Sequence, residues 1–246
     1  MPDNRQRIRG GGVSMPDKVK FTIDGQECLA DQGVTIYEAA KANGVYIPVL
    51  CHYEGLKAVG SCRICSVMVN GRWMASCTQP LSEGMVIEND APLVNEYRQA
   101  IIEMLLAEGN HFCPTCEKSG NCELQALAYR YGIMVPRFPY QFPRRKIEAF
   151  PGFLLEHNRC IQCQRCVRAI QTEDGRKIFA MKDRSKDIRI NIDRKLAAKL
   201  SEDQIQKAMD ICPVGAILKK GVGFIRPIGQ RKYDRQPIGS EIEGEK

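Results

Sequence analysis

Residues 159–170 read RCIQCQRCVRAI and residues 212–218 read CPVGAIL. The bacterial two-cluster ferredoxin repeat is C-x2-C-x2-C-x3-C-P, and its fourth cysteine ligates the other cluster. The fourth position of the first repeat is residue 170, an isoleucine. A repeat ending at Cys212 would need cysteines at 202, 205 and 208, where Glu202, Ile205 and Ala208 stand instead. One half therefore keeps three ligands and the other keeps only the crossing one. Cys160, Cys163, Cys166 and Cys212 together suit one [4Fe–4S] cluster, and a ferredoxin-like domain follows for the C-terminal third.

Upstream, residues 110–122 read NHFCPTCEKSGNC. Cys113, Cys116 and Cys122 are one ligand short for a second [4Fe–4S] cluster, and His111 is the natural fourth. Zinc competes here, because three cysteines and a histidine are a common zinc set. Further upstream, Cys51, Cys62, Cys65 and Cys77 are spaced C-x10-C-x2-C-x11-C. Soft thiolates favour iron–sulfur chemistry, and a C-x2-C pair with flanking cysteines approaches the plant-type [2Fe–2S] pattern. The pair Cys62 and Cys65 is expected to share one iron, with Gly60 letting backbone N–H groups near the sulfurs. A four-cysteine zinc site usually shows two compact knuckles; this set has one. Eleven of the twelve cysteines are thus in the three sets, and Cys28 reads as a small buried residue.

The chain divides around these sets. Residues 1–18 are basic and Gly-rich and read as a flexible leader. Residues 19–92 alternate in strand fashion, with turn signals at Asp24-Gly25 and Asn70-Gly71 and a capping box at Thr35 to Glu38. Strands around one helix indicate a β-grasp [2Fe–2S] domain. Residues 93–135 form the helical segment of the second set. Its first helix shows an apolar face of Val94, Tyr97, Ile101, Met104 and Leu105, expected to pack into the core. Residues 136–153 hold four prolines and read as an extended linker or strap. Residues 154–226 form the ferredoxin-like [4Fe–4S] domain, and 227–246 read as a polar tail, a docking arm or disordered. The overall class is α+β.

Composition excludes several functions. No run approaches the roughly 18 apolar residues of a membrane span, and no secretory h-region is present, so a cytoplasmic protein is expected. The net charge of +7 comes from scattered basic residues, which suits acidic protein partners better than nucleic acid. A disulfide framework fits a small secreted domain, not this chain. There is no G-x-G-x-x-G after a strand and no P-loop, so no nucleotide site and no catalytic residue is expected.

The order of the three sets, with AEGNHFCPTCEKSGNCELQA at 107–126, RFPYQFPRR at 137–145 and CPVGAIL, resembles the N-terminal part of the large iron–sulfur subunit of respiratory complex I. It is more similar to the small diaphorase subunits of bidirectional NAD-reducing [NiFe] hydrogenases. That resemblance implies one [2Fe–2S] and two [4Fe–4S] clusters in an electron-relay subunit. It implies a partner diaphorase subunit carrying FMN and NAD(H), and hydrogenase small and large subunits carrying the NiFe centre. The reaction of such an assembly is H2 + NAD+ = NADH + H+. One departure stands out: the complex I histidine lies four residues before its first cysteine, where this chain has Gly109. Two other expectations remain open: the same relay in an NAD-dependent formate dehydrogenase or another complex I-like enzyme, and a zinc-stabilised binding scaffold.

Overall fold

The computed structural model describes residues 18–244; the leader reading falls almost entirely on residues outside that range. The chain order is β1 (Lys18–Ile23), β2 (Gln26–Asp31), α1 (Ile36–Ala42), β3 (Ser66–Val69), β4 (Arg72–Ala75), β5 (Val86–Glu88), α2 (Pro92–Glu108) and α3 (Glu123–Arg130). There follow β6 (Ile147–Phe150), β7 (Phe153–Glu156), α4 (Arg165–Ala169), β8 (Phe179–Lys182), β9 (Arg189–Ile192), α5 (Arg194–Ala197), α6 (Glu202–Ile211), β10 (Ile217–Lys219) and α7 (Ser240–Glu243).

The first unit is a five-stranded sheet in the order β2-β1-β5-β3-β4. Strand β1 runs antiparallel to β2 and parallel to β5, and α1 covers the sheet in β-grasp fashion. Two hairpin turns set the registers. Asp24 and Gly25 have φ of 50° and 81°, and Asn70 and Gly71 have 47° and 75°; consecutive positive φ values match the right-handed strand twist. The Thr35–Glu38 capping box starts α1. Val19, Phe21 and Ile23 from β1 alternate inward against Ile36, Ala39 and Ala40 of α1.

Helix α2 docks beside this sheet, and its buried stripe differs from the expected one. Met104 is 47% exposed, whereas Arg98 is 2% exposed. Arg98 donates to Asn89 O at 2.9 Å, Asn89 Oδ1 at 2.8 Å and Ser66 O at 3.1 Å. A hydropathy reading places arginine on the surface, but three oxygens here replace its water. The guanidinium pins α2 to the start of β3.

The Pro-rich stretch divides in two. Residues 136–146 lie along α2, with Arg137 paired to the buried Glu103 at 2.7 Å and Gln141 N donating to Ala107 O. Residues 147–150 are strand β6, within the sheet β10-β7-β6. Strands β8 and β9 form a separate hairpin. One core joins Leu124 and Leu127 of α3 with Phe153, Phe179, Ile205 and Ile211, and it reaches Leu50 and Ile64 beside the first cysteine set.

The tail expectation needs correction. Ile238 is buried, Tyr233 N donates to Gly120 O, and Arg130 pairs with Glu243 at 2.7 Å. The polar tail therefore packs back onto its own chain. Among the described residues, no helix is long and apolar enough to cross a membrane.

Candidate iron–sulfur centres

The first set is assembled by the β3–β4 hairpin and the loop before it. The register Ser66↔Ala75 places the residues flanking the two strands side by side. Cys65 and Cys77 accordingly bring their Sγ atoms to 3.4 Å. Cys51 is hydrogen-bonded with both Cys62 and Cys77. The sulfurs thus touch in the order Cys62, Cys51, Cys77, Cys65. Cys62 and Cys65 stand at opposite ends of that order, which does not match the expectation that they share one iron. The pairs in contact are Cys51 with Cys62 and Cys65 with Cys77. The hairpin register, invisible in the spacing, decides this.

These contacts shift the four thiols in opposite directions. Hydrogen bonding with Cys77 lowers the Cys65 thiol to about 7, and hydrogen bonds from Cys62 and Cys77 hold Cys51 well below the ordinary thiol range. Their partners Cys62 and Cys77 are pushed up by the same bonds. Three buried cysteines and the half-buried Cys62, linked in this way, are a donor set suited to iron, whose positive charge would replace the thiol protons.

The second set lies between α2 and α3. Cys113 opens a single turn of 3-10 helix, and Cys122 caps α3 with its Sγ accepting from Gln125 N. The helix N-terminus favours negative charge at that sulfur. Burial nevertheless pushes Cys122 to about 12, and the charges of Cys116 and Cys113 add to the rise. Cys116 packs against the downstream loop so closely that a Cβ on Gly215 would lie 2.6 Å from its Sγ. The glycine of CPVGAIL is required by that approach.

His111 is placed differently. Its ring lies over Gly109, where a Cβ would come within 2.3 Å of Nε2. Nε2 is buried with no hydrogen-bond partner, and burial lowers the ring to about 4, with Arg159 adding to the fall. Among the described residues, no hydrogen bond joins this ring to the three thiols. The imidazole is turned over Gly109, and the described residues show no group of three or more His, Cys, Asp or Glu already arranged to hold a single metal ion. Gly109 also ends α2 in an extended conformation, not a left-handed one, so its lack of a side chain serves the ring.

In the third set, Gln162 and Gln164 have φ of 55° and 60°, which wraps the chain around Cys163 and leads into α4. Cys160, Cys163, Cys166 and Cys212 all line one small cavity walled by Leu155, Ile190, Val214 and Ile217. Burial raises Cys160 to about 11 and Cys163 to about 12, and also lifts Cys166 well above the ordinary thiol range. Amide groups of Gln162, Arg165 and Val167 face these sulfurs and oppose the rise. An apolar pocket offering four thiols and several N–H donors fits an iron–sulfur cluster.

The sets are joined. Arg168 contacts the carbonyls of both Cys51 and Cys163. Between the third and second sets, Glu123 N donates to Pro213 O at 2.8 Å, Lys118 Nζ donates to Met209 O at 2.7 Å, and Arg165 clasps Glu123 at 2.7 and 2.8 Å.

Comparison with known proteins agrees with this architecture. A 2Fe-2S iron-sulfur cluster binding domain matches residues 16–92. An NADH-ubiquinone oxidoreductase-G iron-sulfur binding region matches 98–137, and an NADH-quinone oxidoreductase subunit 3 ferredoxin-like domain matches 151–218. The chain is 46% identical over 230 residues to the gamma subunit of the NAD-reducing hydrogenase HoxS of Cupriavidus necator, covering 92% of this chain and 98% of that one. The chain belongs to the HoxS gamma-subunit family. A chain in the crystal structure of an NAD+-reducing [NiFe]-hydrogenase in the H2-reduced state is similar, with a TM-score of 0.83 and 41% identity over 89% of this chain and 94% of that one. The mitochondrial 78 kDa subunit of Neurospora crassa NADH-ubiquinone oxidoreductase is 34% identical over 90% of this chain, which spans only 30% of that relative.

In this HoxS gamma-type chain, Arg165, Arg168 and Gly215 join the sets, and none of them is marked by the cysteine spacing. The available signal was position. Both arginines lie in RCIQCQRCVRAI among the cysteines of the third set.

Proposed function

We propose that this chain is the iron–sulfur electron-relay subunit of an NAD-reducing hydrogenase, working between a diaphorase subunit that carries FMN and NAD(H) and hydrogenase subunits that carry the NiFe centre. The assembly's reaction is H2 + NAD+ = NADH + H+. The observation that carries this reading is the joining of three ligand sets through contacts between their own loops, in the order first, third, second. A protein holding one isolated metal has no use for that chain of contacts.

Cys51, Cys62, Cys65 and Cys77 hold the [2Fe–2S] cluster in this reading, and Cys160, Cys163, Cys166 and Cys212 hold one [4Fe–4S] cluster. Cys113, Cys116 and Cys122 hold the other, with His111 Nε2 as fourth ligand. That nitrogen is buried and unpartnered, the state of an atom reserved for a metal. Its ring occupies the space where a side chain at 109 would begin. The departure from the complex I spacing thus keeps an imidazole near the same place. Once bound, the clusters supply one-electron transfer. The protein's own work is to exclude water and to aim N–H groups at sulfur, both of which tune potential.

The domain limits proposed for this relay are 19–92, 93–135 and 154–226. A cytoplasmic location fits the twelve unpaired cysteines, because oxidising compartments favour disulfides. In the assembled complex, Cys163→Ser should abolish hydrogen-driven NAD+ reduction while NADH oxidation by the flavin with an artificial acceptor persists. Full hydrogen-driven turnover with the C-terminal cluster absent would refute the relay. Co-purifying molybdenum in place of nickel would move the chain to a formate dehydrogenase.

A further inference from the structure

The arginine that bridges two cysteine loops has no carboxylate partner among the described residues. Arg168 Nη2 donates to Cys51 O at 2.6 Å and to Cys163 O at 3.2 Å. Its Nη1 donates to Lys57 O, and its Nε donates to Gln164 O at 3.2 Å. Four backbone carbonyls from two separate cluster loops converge on one planar fork, and two of them belong to cysteines of different sets. Among the described residues, no Asp or Glu pairs with this guanidinium.

Arg165, one turn earlier in α4, is the internal contrast. It is 2% exposed and bound in fork-to-fork fashion by Glu123. Its charge is matched by an adjacent anion, so its field at a distance is small. Arg168 carries the same charge matched only by carbonyl dipoles. A guanidinium stays protonated at any working pH. It therefore acts as a permanent, largely unneutralised charge between two places that this reading loads with electrons.

We propose that Arg168 is a positioning residue for the relay. It staples the Cys51 loop to the Cys163 loop and holds a fixed positive charge between the first and third ligand sets, making both easier to reduce. The geometry separates two duties. The staple depends on the planar fork, which lysine cannot reproduce. The field depends only on charge, which lysine keeps. None of these Arg168 hydrogen bonds goes to the second set, which therefore serves as the control.

The inference rests on the relay reading, and the experiment separates the two. Arg168→Gln and Arg168→Lys are prepared in the full chain without oxygen, and iron and acid-labile sulfide are measured first. Potentiometric titration followed by EPR then compares the three clusters. At a fixed potential, Arg168→Gln should lower the reduced-to-oxidised ratio of the first and third clusters together by about tenfold, which is 59 mV for a one-electron couple. The second cluster should not move, and Arg168→Lys should restore most of the ratio. Hydrogen exchange at residues 52–58 should be faster in both variants and unchanged at 113–122. Unshifted first and third clusters, or a uniform shift of all three, would overturn the field. Unchanged exchange at 52–58 would overturn the staple. If Arg168→Gln loses its clusters, the exchange of Arg168→Lys decides alone by the same criterion. A wild-type chain lacking iron and sulfide would instead sink the relay reading, and exchange would still decide the staple.

Discussion

The sulfurs of the first cysteine set are brought together by one hairpin and its preceding loop, whereas the second set is closed by its neighbours. Cys51, Cys62, Cys65 and Cys77 come from one hairpin and the loop before it, and their sulfurs touch in sequence. Cys113, Cys116 and Cys122 depend on contacts from elsewhere: Gly215 against Cys116 Sγ, Pro213 O on Glu123 N, and Met209 O on Lys118. A site built by local turns can be read from spacing. A site finished by tertiary packing can be read only in part, because spacing does not report what lies across the core.

This contrast is broken most forcefully by removing one ligand from each side. Cys65→Ser should cost only its own two-iron cluster, lowering iron from about ten to about eight per chain. Cys212→Ser should cost more than its own cluster, because the loop after Cys212 also supports Cys116 and Glu123. Iron should fall to about two. Metal analysis of the purified chains checks both, and loss of only four irons in Cys212→Ser would show the second site to be self-sufficient.

Gly109→Ala tests the closure at smaller scale. The added methyl would meet His111 Nε2 at 2.3 Å, so the ring must leave its position. Overpacking of this kind costs about 1–3 kcal/mol, read by chemical denaturation. The EPR signal of the second cluster should change while that of the first does not.

Thr35→Ala touches only the first unit. Loss of the capping box should destabilise it by about 1 kcal/mol without loss of iron at the other two sets.

The smallest expected effect is a pH dependence in the third unit. Glu148 is held below the usual carboxylate range by His157 first and by Arg194. Its contribution to stability is therefore complete above the ordinary carboxylate pKa of about 4.3 and is lost as pH falls through the depressed value. Denaturation midpoints of wild type and Glu148→Gln should converge on acidification through that window. A constant gap would show that the pairing carries no such dependence.

Much of the fold was legible in the sequence for physical reasons. Asp24-Gly25 and Asn70-Gly71 demand left-handed backbone, so the hairpins of the first unit follow from residue type alone. Thr35 to Glu38 specified a helix start. The half-lost ferredoxin repeat located Cys212 with its distant partners, and all four now line one cavity. What stayed hidden depends on partners far away in the chain. Arg98 and Arg165 are buried because carbonyls and a carboxylate satisfy them. Met104 is exposed because the buried stripe of α2 turns toward Arg98. Strand β6 escaped notice because the prolines around it outweighed a short pairing with β7. The tail lacks periodicity, yet single anchors such as Ile238 and Glu243 seat it.

Three cysteine sets in one chain should each hold an iron–sulfur cluster. The direct test is to purify the full chain without oxygen and measure iron, acid-labile sulfide and zinc. About ten irons with matching sulfide are expected, the sum of one two-iron and two four-iron clusters. A colourless chain with stoichiometric zinc and no sulfide would contradict it.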